Sequence, residues 1–329
     1  MSDSVVEVIE PLSEITPSDE DFHGVTPGHN FTASETNYFG FSIPEHNINA
    51  EIYLWAHPTF GVTAGGVFIY QGMKSQVVGA DYLNYFGYQP MPASGVDYNL
   101  AVGLSVKIEE PLKRVRLRYA DPEAKTEFDV TLTGITAPVG RPHGGHFTQS
   151  CRTAGRLVLR GREFQVDGTF SRDHSWSHER PEVRRRAPPT TWIVGIFGDD
   201  LAFHVVGTDE LAGHPQWREW NPSLPERMPF GWGYLIEHGE IIQLSGLRNK
   251  LTVRDSDGVT PLAYRLEIGD VRGRWHAIEG TVKANCPFNW WPNMVTHMSL
   301  VEWRLNGRVG YGDAQDIQFN DWVFQYARK

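Results

Sequence analysis

The sequence predicts an all-β protein built from antiparallel strands. Short β-branched and aromatic runs recur between Gly, Pro and Asp breaks. No segment sustains an apolar stripe at helical spacing, and the strand–helix alternation that a parallel α/β fold requires is missing. The chain has 329 residues, 40% hydrophobic, 12% aromatic and 21% charged, which is the composition of a packed globular protein. That length suits two ordinary domains or one large β domain.

Residues 1–30 contain Pro11, Pro17 and Pro27 among scattered acids without periodicity, and read as an extended lead-in draped over the body. Strand runs follow at 51–57, 66–70, 100–108, 115–119 and 128–133, a spacing that predicts an antiparallel meander. Residues 81–87 read as one or two turns of helix. A long hairpin then runs through 145–159, turns at Arg160-Gly161-Arg162 and returns through 163–176. Period-2 counting on its second strand places Phe164, Val166, Gly168, Phe170, Arg172, His174 and Trp176 on one face and Asp173 on the other. Periodicity is lost across 177–191, where Pro181, Pro188, Pro189 and the solvated run Arg184-Arg185-Arg186 mark a linker. Strands resume at 191–197, turn at Gly198-Asp199-Asp200 and return through 201–206. His238-Gly239, residues 255–258 and Asn306-Gly307 punctuate later hairpins, and Asn-Gly is a type I′ signal. The division expected is a lead-in at 1–30, a first β domain at 31–180, a linker at 181–190 and a second β domain at 191–329. No period of 20 to 50 residues repeats, which disfavours propellers and solenoids.

The net charge of −10 is uneven: no Lys or Arg precedes Lys74, while residues 1–73 carry ten Asp or Glu. An acidic leader free of basic residues has no affinity for phosphate backbones or anionic lipid, so neither nucleic acid nor membrane insertion is expected. Residues 1–21 lack the basic start and apolar run of a secretory signal, and Cys151 and Cys286 make no disulfide framework, so cytoplasmic residence is the expectation. Nothing in the sequence opposes a homodimer.

GxxxxGK[ST], GxSxG and HExxH are all missing, and Gly231-Trp-Gly233 lacks a dinucleotide loop's third glycine, so no cofactor is expected. His143-Gly-Gly-His146 offers two nitrogen ligands that His174 or His204 could join. No carboxylate or thiol at ligand spacing completes that set, and no metal is expected there. Asp173-His174-x-Trp176 combines residue types suited to acid–base chemistry on an apolar substrate. His titrates near neutrality, Asp can orient it or be raised in pKa by burial, and the Trp face can stabilise a developing cation. The alternative is that Asp173 ends a strand, pairs with an Arg of the linker, and Trp176 fills the core.

The stretches Gly145-His-Phe-Thr-Gln-Ser150, Gly161-Arg-Glu-Phe-Gln-Val-Asp-Gly168 and Arg172-Asp-His-Ser-Trp176 resemble a lipocalin-related family. That family includes AttH-like proteins and the carotenoid hydratases (hydroxyneurosporene synthase). Gly155, Glu110-Pro-Leu-Lys-Arg114, Asp200 after Trp192 and Gly307-Arg-Val-Gly-Tyr-Gly312 fit the same pattern. The resemblance implies two tandem lipocalin-like antiparallel β-barrels with an apolar pocket in or between them. It also implies a catalytic His-x-Trp pair, which falls on His174 and Trp176. The Tyr and Asp that those hydratases add from a neighbouring strand have no Tyr-x-Asp counterpart in 191–206, where Asp199 and Asp200 sit in a turn.

The reading that follows is a cofactor-independent lyase or isomerase of the hydratase/dehydratase type, acting on an apolar terpenoid, steroid or aromatic metabolite. His174, Asp173 and Trp176 are the catalytic candidates. The face parity favours His174 as the reacting group and makes Asp173 its structural partner. Arg172, His146, Gln149, Trp192 and His204 are the candidates for substrate binding, His204 lying on the face opposite Leu201, Phe203 and Val205. Trp290, Trp291 and Trp303 read as core and rim aromatics. Two other readings stand beside it: a lipocalin-type carrier that binds without chemistry, and a scaffold that folds a reactive polyene for cyclisation.

Overall fold

The computed structural model describes residues 9–25, 27–226 and 228–327; the first eight residues of the lead-in lie outside them. The strand signals of the first half become β1 (Ala33–Ile43), β2 (Ile48–His57), β3 (Val62–Gln71), β4 (Tyr82–Pro90), β5 (Asp97–Asn99), β6 (Leu104–Glu110), β7 (Arg114–Asp121), β8 (Thr126–Gly134), β9 (Val139–Gly140), β10 (His146–Leu159) and β11 (Arg162–Glu179). They form one eleven-stranded sheet in the order β4-β3-β2-β1-β11-β10-β8-β7-β6-β5, with β9 beside β10. The sheet curls on itself. Asn84 of β4 donates to the Tyr119 hydroxyl of β7 at 2.7 Å, and Tyr82 reaches Asp121 at 2.7 Å, so side chains close a gap that no ladder spans.

The second half supplies β12 (Thr190–Ile196), β13 (Leu201–Thr208), β14 (Phe230–Glu237), β15 (Glu240–Arg254), β16 (Pro261–Asp270), β17 (Trp275–Phe288), β18 (Met294–Leu305) and β19 (Arg308–Phe319), which close into an eight-stranded up-and-down barrel. The turns are those the dipeptides demand. His238-Gly239 and Asn306-Gly307 both hold two successive positive φ angles, 54° and 80°, and 51° and 76°, as a type I′ turn requires. The all-β, tandem lipocalin-like architecture therefore consists of one closed barrel and one curled sheet.

One local reading, the turn or two of helix at 81–87, is corrected. Residues 82–90 are the edge strand β4, paired to β3 through Val67↔Asn84 and Phe68↔Leu83, because the ladder outweighs a weak helical preference. The helices that do form are short: α1 (Pro215–Trp220) and α2 (Asn320–Tyr326) bury Trp217 and Trp322. Among the described residues no helix is long and apolar enough to cross a membrane.

Strand alternation fixes which surfaces meet. In the curled sheet, Phe39, Phe41, Ile52, Leu54, Val67, Val130 and Val166 fill the inner face. In the barrel, Ile193, Phe203, Tyr264, Trp303 and Ala314 fill the interior. The alternate residues would face water in an isolated domain, yet they are apolar as well. Tyr38, Tyr53, Trp55, Phe68 and Tyr70 on the sheet's outer face pack against Cys286, Phe288, Trp290, Met298 and Leu300 on the barrel's outer wall. Every residue of β1 and of β13 is consequently buried. In β13, burial of both faces gives an apolar run in place of an alternating pattern.

The lead-in straps both halves. Leu12 joins the apolar contact between β9 and the barrel wall, and the Glu10 carbonyl accepts from Gln243 at 2.6 Å. Farther along, Asp21 accepts from the Gly95 amide at 2.6 Å, and Phe22 packs on Tyr98 with ring centroids 6.1 Å apart.

Candidate functional site

The two faces of β11 lead to two different environments. On the inner face, Arg172 forms a two-pronged ion pair with Glu20 of the lead-in at 2.6 and 2.7 Å and donates to the Gln149 side-chain oxygen at 2.7 Å. Gln149 spends its amide on the carbonyls of Leu112 and Thr136. His174 is 2% exposed, with Nδ1 at 2.8 Å from the Asp19 carbonyl and Nε2 at 2.9 Å from Glu35. Trp176 is capped by His23, stacked at 4.3 Å with the rings parallel within 2°. Glycine enables the approach: Gly145 enters β10 at φ 70°, and a Cβ there would lie 3.0 Å from the Trp176 carbonyl. The lead-in thus covers Arg172, Gln149, His174 and Trp176.

On the outer face, Ser171, Asp173 and Ser175 look toward the barrel. Tyr38, paired in register with Asp173 on β1, donates its hydroxyl to Glu51 of β2 and lies 3.5 Å from Asp313 of β19. Ser171 donates to Asp313 at 2.7 Å and Gln315 reaches it at 3.5 Å. Glu51 also accepts from Asn49 at 2.6 Å and Tyr70 at 3.2 Å. Three carboxyl groups from three strands are thereby desolvated together.

Their titrations separate. Burial pushes Glu51 up to about 8, and the nearby charge of Asp313 adds to the effect. Asp173 is likewise pushed to about 8 by burial and then by Asp313, with Arg180 opposing. Asp313 rises only to about 6, since hydrogen bonds from Ser171, Gln315 and Tyr38 partly offset its burial. Near neutrality one carboxylate therefore sits among protonated acids, the separation of pKa values that assigns a base and an acid to one site. The Asp173 carboxyl has no hydrogen bond among the described residues, and the residue keeps a minor part of its surface accessible. A protonated carboxyl without a partner is a free proton donor.

His146, Trp192 and His204 continue the same interface. His146 contacts Ser175 at 2.7 Å and Thr148 at 2.9 Å, and its ring meets Trp192 edge-on at 4.9 Å. Trp192 lies 5.0 Å from the His204 ring and beside Gln315 in the β12–β19 ladder. Burial drives His146 well below the usual imidazole range and His204 down to about 3, so both are neutral. His204 Nδ1 meets the Ile193 carbonyl at 3.1 Å, and Nε2 has no partner among the described residues. Asp173, Ser175, His146, Trp192, Gln315 and Asp313 close a circuit between sheet and barrel, and Asp173, Trp192 and Gln315 are its partly accessible members.

His143 is exposed in a turn at φ 69°, whereas His146 is buried, so the pair does not converge on His174 or His204. Asp199 and Asp200 pair with Arg152 and Arg308 at the surface. Asp313 lies on β19, the ladder partner of β12, and the Tyr38 hydroxyl approaches it from β1 across the interface. Glu51, Asp313, Tyr38 and Tyr70 were not singled out from the sequence. The available signal was a carboxylate heading an otherwise apolar strand at residues 51–57 and a second within β19.

The comparisons with known proteins bear on the fold. Kievitone hydratase from Nectria haematococca superposes with a TM-score of 0.52 at 12% identity, covering 88% of this chain and 90% of the other. CghA gives 0.55 at 11% identity over 88% and 89%, and an AttH-like protein from Nitrosomonas europaea gives 0.51 at 15% over 90% and 99%. These likenesses place the chain in the tandem lipocalin-like fold that AttH-like and hydratase proteins share. Sequence comparison with curated proteins gives no match. A family profile matches residues 16–320, and by that match the chain belongs to the family described as a domain of unknown function, DUF7064.

Proposed function

We propose that the chain is a cofactor-independent acid–base enzyme of the hydratase/dehydratase type, acting on an apolar molecule held between the curled sheet and the barrel. The observation that carries this reading is Asp173, a carboxyl protonated at neutral pH, free of hydrogen bonds and partly accessible, with the ionised Asp313 beside it. In the dehydration direction the Asp173 O–H donates to a leaving hydroxyl, the C–O bond breaks and water departs. Asp313 then takes the proton from the adjacent carbon as the alkene forms. Hydration runs the same steps in reverse. Trp192 offers an aromatic face to the cationic carbon, an attraction of about 0.5–2 kcal/mol that strengthens as water is excluded. Ser171, Gln315 and Tyr38 hold Asp313 in place. The fold neighbour named kievitone hydratase supports water addition or loss as the reaction class.

His174 takes no part in this scheme, since both its nitrogens are occupied on the far face of the strand. The lipocalin-type carrier reading needs ligand space inside a barrel, and Trp303, Phe203 and Tyr264 fill the closed one. The test is incubation of the protein with terpenoid, steroid and aromatic alcohols or alkenes, with products followed by mass spectrometry. A product differing by one water, or an isomer, that Asp173→Asn abolishes supports the reading. Full turnover in Asp173→Asn would point to the cyclisation scaffold, and ligand-induced Trp quenching without product to the carrier.

A further inference from the structure

The lead-in crosses the inner face of β11 at a second cluster of chemistry-bearing side chains, which the proposed reaction leaves unused. His23 of the lead-in, Glu35 of β1 and His174 of β11 each offer a ligand atom, and these atoms lie within 4.8 Å of one another. Nε2 of His174 is 2.9 Å and Nδ1 of His23 is 3.2 Å from the same Glu35 oxygen. A tetrahedron of ligands around zinc at about 2.0–2.1 Å has edges of about 3.3 Å, so these separations are close to those of a first coordination sphere. The outward nitrogens supply an independent observation. His174 Nδ1 contacts the Asp19 carbonyl at 2.8 Å and His23 Nε2 contacts the Asp19 carboxylate at 3.3 Å. A single residue thus fixes both ring orientations, which is the outer support that metal-bound imidazoles characteristically carry.

We propose that His23, Glu35 and His174 form a site for one divalent transition ion of the zinc class, which fastens the lead-in to β1 and β11. Three protein ligands leave a fourth position for water. The site lies on the face of β11 opposite Asp173, so it is a structural clasp independent of the acid–base pair, and its test does not depend on turnover.

The test uses the full chain, freed of any affinity tag and stripped with chelator, then titrated with Zn²⁺ by calorimetry and with Co²⁺ by visible absorption. The expected result is saturable binding of one ion per chain, with intense Co²⁺ bands of tetrahedral type. Zn²⁺ should also slow proteolytic cutting within residues 9–30. His23 is partly exposed, so His23→Ala folds normally and weakens binding at least tenfold, as does Glu35→Gln from the buried side. His143→Ala binds as the parent chain does. The proposal is overturned if no saturable binding occurs at micromolar ion, or if His23→Ala binds Zn²⁺ as tightly as the parent chain.

Discussion

Asp313 sits close enough to Asp173 for its charge to raise the Asp173 carboxyl further, and that coupling sets an expectation for how rate depends on pH. The acid form of Asp173 persists below about 8, and the base form of Asp313 exists above about 6. Turnover should therefore follow a bell between those two values, the limbs belonging to the pair rather than to either residue alone. Asp173→Asn should lower kcat by about 10²–10⁴-fold and remove the alkaline limb of any residual activity. Pre-steady-state or endpoint assays across pH 5–9 check this, and a flat profile in the parent chain would sink the assignment. Asp173 was visible in the Arg172–Trp176 motif, and strand parity correctly separated it from His174. What parity alone could not decide was which face reacts. That depends on what covers each side, and here a lead-in covers one and the barrel the other.

The lead-in shows how an element without periodicity of its own can be held by others. Its 3-10 turn, Pro17–Glu20, presents Glu20 to the Leu112 amide at 2.6 Å and to Arg172, both partners of that ion pair being about 2% exposed. Breaking a buried pair from one side leaves an uncompensated charge, at a cost of about 3–5 kcal/mol. Glu20→Gln should accordingly lower the urea midpoint markedly, and the double change Glu20→Leu with Arg172→Met should recover much of the loss. An unaltered midpoint in Glu20→Gln would mean that the lead-in lies outside the cooperative unit. The same physics explains why β1 escaped the sequence reading. Ser34, Glu35, Thr36 and Asn37 open it with polar residues on both faces, all buried, so neither alternation nor an apolar run announces a strand. The partners that justify those side chains, His23 and His174 for Glu35, are far away in sequence. The hairpin of β10 and β11 was legible because its contacts are local and its two-residue turn, Arg160-Gly161, places glycine at the second of its two positive φ angles.

At the scale of the whole molecule, joining the sheet's outer face to the barrel wall buries Glu51 fully, and that burial links stability to pH. In the folded chain Glu51 is held up to about 8 against an ordinary value of 4.5. Between those values the unfolded chain has released a proton that the folded chain retains. The contribution is thus fully present below about 4.5, declines as pH rises and is gone by about 8. A shift of that size corresponds to a few kcal/mol. Glutamine can accept from Asn49 and Tyr70 and meet the Tyr38 hydroxyl without ever ionising, so Glu51→Gln removes the slope while preserving the contacts. The variant and parent should melt at similar temperatures at pH 5, and the variant should melt several degrees higher at pH 8. Asp173 and Asp313 remain in both chains, so the widening gap isolates Glu51. Scanning calorimetry at the two pH values decides it, and a gap that does not widen with pH would mean that Glu51 is hydrated and that the halves part more readily than their apolar contact implies.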